Sequence, residues 1–500
     1  MARPLLEDVA DFVIVGTGAG GATAARVLSE AGLSVLMLEE GPELRPDQRP
    51  RGVLDAMTQS MRALGTLTTA GSAPIPLLQG RCVGGSTAVN SGIIWRTPDD
   101  VRRDWSERFG LGELVQEQAQ GRIFAQLESE LEIGEVDAEV RGGNALLMHE
   151  ASRALGLPGR PIHRNAKRCK GSARCLQGCP NGARQSMDVS YVPRAQKHGA
   201  RLLPLARALR IVARDGRAHA VEGELLDERR RPRGNFRVVG RRGVIVAAGA
   251  VHTPLLLLRS GIRRLVGDGF QAHPGAAVVG RFAEPVGMGY GAVQAYEVPL
   301  PALGMKLESL SLPPELLASR LPGAGAEWQR RLHQLEYFAQ WAAVVRMRAV
   351  GRVRRGLWGG PRVDYEPTQD DFARLKHGTS LLVRMMFAVG AVEVYPGVSR
   401  LPQVLTRPEQ AELLLDPKLQ RRDFHLVASH HFGTARAGAD PQSSVVSPSL
   451  ECHDLPRLFV MDASALPTNL GVNPQHTIMA VVFRAAEWLA NEGAVGRAAA

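Results

Sequence analysis

The chain has 500 residues, 44% of them hydrophobic, and a formal net charge of +11, which is enough apolar material for a large core and length for about two or three domains. Only six of its 61 basic residues are lysine and most are dispersed along the chain, so the charge does not describe a nucleic-acid surface and no nucleic-acid partner is expected. No apolar run reaches the roughly 18 residues that span a bilayer; Met1-Ala2-Arg3-Pro4 leads almost directly into an apolar strand, leaving no room for a secretory leader, and the five cysteines are too few and too clustered for a disulfide scaffold. A cytoplasmic location is expected, with peripheral contact to acidic lipids at the inner face of the membrane as an option.

Residues 11–41 contain a strand at 12–15, the turn Gly16-Thr17-Gly18-Ala19-Gly20-Gly21, a small-residue helix, a second strand at 34–38 and then Glu39. The spacing is that of a dinucleotide-binding βαβ unit. Gly16 permits the sharp turn, Gly18 lets a pyrophosphate approach the backbone, and Gly21 lets the helix pack close to the strand. The helix start offers free N–H groups and partial positive charge to phosphate. Glu39, 23 residues after Gly16, is placed to accept hydrogen bonds from ribose hydroxyls. The turn alone does not separate FAD from NAD.

Residues 50–75 are expected to be loop-rich. They lead to a second small-residue turn, 80–92, whose glycines suit close packing on a planar ring or phosphate, with Ser86 and Asn90 as polar contacts. Helical spacing follows at 99–135, a cysteine cluster at 163–190, and short strands with hairpins over 200–250. The apolar strand at 243–247, then Ala248-Gly249 and a leucine-rich helix, predict a second crossover of a doubly wound parallel sheet. Between 281 and 422 the texture changes to Pro, Leu and Arg without glycine fingerprints. There Trp328, Leu332, Leu335, Phe338, Ala342 and Val345 fit one face of a helix packed on the core or facing a lipophilic entrance, and 345–353 alternates like an edge strand. A final helix is expected at 477–489.

Four separated segments together resemble the glucose–methanol–choline (GMC) oxidoreductases. They are the first glycine turn; Val83-Gly84-Gly85-Ser86-Thr87-Ala88-Val89-Asn90; Val246-Ala247-Ala248-Gly249-Ala250-Val251-His252-Thr253-Pro254 with Ser260-Gly261-Ile262; and His430-His431-Phe432-Gly433-Thr434 with Gly471-Val472-Asn473-Pro474-Gln475-His476. The resemblance covers nearly the whole chain and favours FAD over NAD. It implies an α/β (overall α+β) protein. A Rossmann-like FAD-binding domain at 8–280 and 423–497, including the cysteine-rich loop 163–190, would carry an interleaved substrate domain at 281–422 built on an antiparallel sheet with helices. The cysteine segment and Ser429-His430-His431 are most similar to the long-chain alcohol oxidase branch and related bacterial dehydrogenases. Ala435-Arg436-Ala437 departs from the Cys and Met common in relatives at the first and third of these positions.

The resemblance assigns flavin contacts to Gly16, Thr17, Gly18, Ala19, Gly21, Glu39, Gly85, Ser86, Asn90, Ala208, Ala248, Gly249, Asp462, Ala463, Asn473 and Pro474. It places a general base at His430 and an orienting amide at Asn473. Histidine suits proton removal because its ordinary pKa is about 6.5. His476, three residues past Asn473 on a helix start, is a further candidate; His431 and His252 are expected to lie nearby without acting on substrate, and His273 to be structural. The spacing Cys169-x5-Cys175-x3-Cys179 is compatible with inert thiols, an iron–sulfur cluster, or zinc with His163 as a fourth ligand. The implied reaction is oxidation of a small-molecule alcohol, hydrophobic or long-chain, by hydride transfer to FAD. Dioxygen, a quinone or a redox protein would take the electrons. The alternatives are a flavin-dependent lyase or decarboxylase on the same fold, and an FAD/iron–sulfur electron-transfer dehydrogenase acting on a sugar.

Overall fold

The computed structural model describes residues 5–357 and 359–498, with side chains as far as Asn491. Two sheets organise the chain, each with its own apolar core. The first runs in the order Arg201–Leu203, Val35–Leu38, Leu5–Val15, Pro232–Val246, Arg217–Leu226, Ala206–Arg214, with Leu458–Val460 added beside Pro232–Val246. Its centre is parallel. Val13, Ile14 and Val15 pair with Leu36, Met37 and Leu38 on one side and with Val244, Ile245 and Val246 on the other. These short strands are buried on both faces and so are uniformly apolar rather than alternating. Helices Ala19–Glu30 and Gln475–Ala498 pack against each other on this sheet, which brings the two ends of the chain together.

The second sheet is largely antiparallel and is built on the 14-residue strand Asp268–Arg281. Phe338–Val345 pairs with it on one edge, followed outward by Met305–Ser309 and Tyr296–Leu300. Leu426–Phe432 pairs on the other. The register between Asp268–Arg281 and Leu426–Phe432 breaks between Ala272 and Pro274: Ala272 faces His431, whereas Pro274 faces Ala428. Ser429 and His430 therefore oppose the single residue His273. A bulge of this kind re-aims side chains, and here it turns two imidazoles toward each other.

Some expectations need correction. Residues 50–75 include a helix, Val53–Ser60. The apolar face expected over 328–345 is not one helix. A helix ends at Leu332 and the strand Phe338–Val345 begins six residues later, with all eight of its residues buried. A central strand covered on both faces gives a continuous apolar run, and periodicity alone does not separate that from a buried helix. The strand expected at 345–353 is Gly351–Arg355, and it lies inside the edge strand Pro361–Asp364. The second sheet also draws Asp268–Arg281 and Leu426–Phe432 from stretches expected to belong wholly to the nucleotide-binding unit.

Candidate active site

A cavity of about 840 Å³ lies between the two sheets and receives residues from both. One arm runs along the first glycine turn. Gly16 has φ +99°, and a Cβ there would sit 2.3 Å from the Ala247 carbonyl oxygen; at Gly21 it would sit 1.9 Å from the Gly16 carbonyl oxygen. Both glycines are therefore demanded by the protein itself. Gly18 differs, because a Cβ there meets nothing within 4 Å: it faces the cavity, as a position that admits a phosphate must. Thr17 ties the arm together. Its hydroxyl donates to Glu39 Oε2 at 2.8 Å and accepts the Gly84 N–H at 3.0 Å. Glu39 also accepts the backbone N–H groups of Thr17 and Gly41. Burial pushes its carboxyl upward while these bonds work in the opposite direction.

The second glycine loop is fixed from behind. Arg184 donates to the carbonyls of Ala88, Asn90 and Cys175, and Arg164 donates to the Ser91 carbonyl at 2.6 Å. Ser86 accepts the Gly80 N–H at 3.0 Å, and Asn90 donates to Gln475 at 2.8 Å. The floor is set by Asp462. It accepts from Gly249 N–H at 2.7 Å, from the Thr253 hydroxyl at 2.5 Å, and from the backbone and hydroxyl of Ser464. Asp462 thus clamps the helix Gly249–Arg259 to the C-terminal segment and acts on the cavity through that geometry. Ala19, Gly85, Ala208, Ala248, Ala463 and Pro474 also line the cavity. Gln79 and Gln475 also line the cavity, and their buried amide nitrogens have no hydrogen-bond partner among the described residues. Orphaned buried donors beside an open glycine turn fit a ligand rich in acceptors, so the residues present fit an FAD.

The other arm is made of side chains from distant segments. His430 Nδ1 lies 3.1 Å from His273 Nδ1, and its Nε2 lies 3.4 Å from Asn473 Nδ2. Asn473 Oδ1 accepts from Lys306 Nζ at 2.6 Å. Lys306 is 2% exposed and sits 2.8 Å from Glu308 and 3.3 Å from Glu297. Burial, reinforced by the Lys306 charge, drives the His430 pKa down to about 3, so the imidazole is neutral. Burial likewise brings His431 down to about 4. Beyond these groups the lining includes Leu310, Leu312, Leu316, Ala342 and Val344.

Two candidates fall outside this arrangement. His476 is fully buried outside the cavity lining, stacked on Phe124 with ring centroids 4.7 Å apart and its Nε2 3.4 Å from Glu128. Gln475 and Ile478 face the cavity in its place. The iron–sulfur and zinc readings of the cysteines are not supported: among the described residues no group of three or more His, Cys, Asp or Glu is arranged to hold a metal ion. The Arg164 guanidinium instead lies 3.1 Å from the Cys175 sulfur, and Arg164 and Arg184, both buried, sit close enough to that thiol to lower its pKa against the effect of burial. The cysteine segment works as a brace for residues 88–92. Lys306 and His273 were not singled out as active-site groups by sequence. A signal did exist for Lys306, a lysine inside a short strand in a chain with only five others.

Family models described as GMC oxidoreductase match residues 10–275 and 348–481. The chain is 37% identical over 483 residues to an uncharacterised GMC-type oxidoreductase of Mycobacterium tuberculosis, covering 96% of this chain and 75% of that one. It is 26% identical to a long-chain-alcohol oxidase of Arabidopsis thaliana, over 97% of this chain and 69% of the relative. Formate oxidase of Aspergillus oryzae shares the fold at 17% identity with a TM-score of 0.75, covering 97% and 98% of the two chains. A glycine cradle and a histidine-bearing arm meet between two sheets of an α/β fold. The chain belongs to the GMC oxidoreductase family. Among the described residues no helix is long and apolar enough to cross a membrane.

Proposed function

We propose that this protein oxidises an alcohol to an aldehyde or ketone, with FAD held along the glycine-lined arm and His430 as the general base. When bound, FAD supplies the hydride acceptor. The observation that carries the reading is the convergence of His430 and Asn473 on the cavity that also receives the first glycine turn. His430 Nε2 takes the hydroxyl proton, and Asn473, which has no basic atom, orients the alcohol oxygen through its amide N–H. His273 supports the tautomer this needs. With His430 Nδ1–H donating to His273 Nδ1, the His430 lone pair lies on Nε2, toward Asn473. Gly18, Gly249 and the amides of Gln79 and Gln475 would hold the cofactor.

The substrate class is a hydrophobic or long-chain alcohol. The leucine and valine lining beyond His430 supports it, as does the likeness to a long-chain-alcohol oxidase. The test is anaerobic bleaching of bound flavin by alcohols of graded chain length. Bleaching that quickens with chain length is expected, and a flavin that no alcohol reduces would favour lyase chemistry. The variant His430→Ala should keep its flavin and lose about 10²–10⁴-fold in the rate of flavin reduction, the usual contribution of a positioned base. Reduction at the native rate in that variant would remove His430 from the chemistry.

A further inference from the structure

Asn473 can help an alcohol oxygen only if its N–H side faces that oxygen. An amide can flip, and the two orientations are nearly isosteric. What settles the matter is Lys306. An ammonium has three donors and no acceptor, so the amide atom 2.6 Å from its nitrogen must be Oδ1, which leaves Nδ2 on the His430 side. Resting on the reading of His430 as base, we propose that Lys306 is a positioning residue for alcohol oxidation: it locks the Asn473 amide so that its N–H groups face the His430 Nε2 and the reacting oxygen.

The surroundings of Lys306 suit this task and little else. A lone buried ammonium would lose its charge, since desolvation disfavours the charged form. Glu308 and Glu297 keep Lys306 protonated despite its burial. Glu297 is itself held by Arg160 at 3.1 Å and by the Trp95 indole N–H at 3.1 Å. Two carboxylates therefore fix the cation from one side, and its remaining donor reaches Asn473. A buried ion cluster is an expensive way to stabilise a sheet, so its contact with a cavity residue needs a reason besides folding.

The same arrangement sets the field on the base. The charged or titratable groups around His430 are His273 on Asp268–Arg281, Lys306 on Met305–Ser309, and His431 on its own strand; Arg346 acts on His273, and Glu297 and Glu308 sit behind Lys306. Of these, Lys306 is the fixed cation. It opposes protonation of the imidazole, which keeps the base free.

The test uses holoenzyme labelled with ¹⁵N-histidine, with His430 assigned by difference from His430→Ala. Lys306→Met alone would strand two carboxylates, so it is paired with Glu308→Gln, which leaves Glu297 its Arg160 partner. Native His430 should be the Nδ1–H tautomer. In Lys306→Met/Glu308→Gln the population should move toward the Nε2–H tautomer as the Asn473 amide becomes free to flip, and the His430 titration should move upward. An unchanged tautomer and titration in a folded variant would overturn the proposal. In anaerobic flavin reduction by 1-octanol, the double variant should lose roughly 10²-fold, the cost of a misplaced group at a reacting centre. Adding Asn473→Ala should then cost less than about twofold, because contacting residues in one chain of bonds are non-additive. Full additivity would also overturn it. A His430→Ala enzyme reduced at the native rate would instead defeat the base assignment, whereas loss in His430→Ala with native behaviour of the Lys306 variant would defeat only this proposal.

Discussion

The two arms of the cavity are built by different means. The glycine-lined arm is made of backbone: Gly16, Gly18, Gly21 and Gly249 shape it, and the side chains that matter, Thr17, Glu39 and Asp462, mostly bond to backbone N–H groups. The other arm is made of side chains meeting side chains, His273 with His430, Asn473 with Lys306, Lys306 with two carboxylates. Where it is closed, as at Gly16 and Gly21, a backbone cradle tolerates no added atoms. A side-chain cluster tolerates volume changes better but depends on protonation and orientation. The contrast matches the two tasks proposed for the arms, holding a large ligand of fixed shape and moving one proton.

The largest effect should come from adding a methyl group where the cradle is closed. At Gly20 a Cβ would lie 1.8 Å from the Met461 carbonyl oxygen, where the first helix meets the chain's C-terminal segment. Gly20→Ala should therefore destabilise the protein at or above the upper end of overpacking costs, about 3 kcal/mol. Chemical denaturation checks this. A native midpoint would show that the helix can shift outward, and that the cradle is softer than its backbone contacts imply.

Acid should next separate the arms. His273, His430 and His431 are held neutral, with pKa values pushed below the ordinary histidine range by burial. The unfolded chain takes up these protons near the ordinary value of about 6.5, so it binds more protons than the folded one below that pH. Stability should be fully present above about pH 6.5. It should then fall as pH drops toward about 4 for His431 and about 3 for His430, at up to about 1.4 kcal/mol per pH unit for each extra proton. Denaturation midpoints measured from pH 8 to pH 4 test this, and His431→Phe should flatten the slope. Across the same range the base itself stays neutral, so flavin reduction should not lose His430 to protonation.

Gly18 gives the complementary result to Gly20. Its Cβ would enter open space, so Gly18→Ala should leave the denaturation midpoint of the flavin-free protein in place and weaken flavin binding about tenfold, or ~1.4 kcal/mol. Flavin release measured by fluorescence decides it. Neighbouring glycines would then separate the protein's demand for space from the ligand's.

How much of this was legible in the sequence follows the same division. The cradle is local: a strand, a turn and a helix within 30 residues carry their geometry in the spacing of glycines. Gly16, Gly18 and Glu39 reach the cavity arm, while Gly21 packs behind it on the Gly16 carbonyl. The other arm depends on long-range register. His273 and His430 are 157 residues apart, and only the bulge at Ala272–Pro274 brings them together. Lys306 and Asn473 meet across 167 residues. Periodicity also misled where burial was complete, since Phe338–Val345 has no polar face to mark it as a strand.

His476 supplies the smallest expected effect and the most direct check on that lesson. Sequence places it three residues from Asn473, close enough to share a helical face. The helix instead begins at Gln475, Asn473 lies before it, and His476 packs on Phe124 and Glu128, outside the cavity lining. An imidazole there contributes packing and one long contact to a carboxylate. His476→Gln should therefore change the rate of flavin reduction by less than about twofold, while losing of order 1 kcal/mol of stability with the stacked ring. A rate loss comparable to that of His430→Ala, with the fold intact, would mean that the packing around His476 communicates with the proposed proton transfer after all.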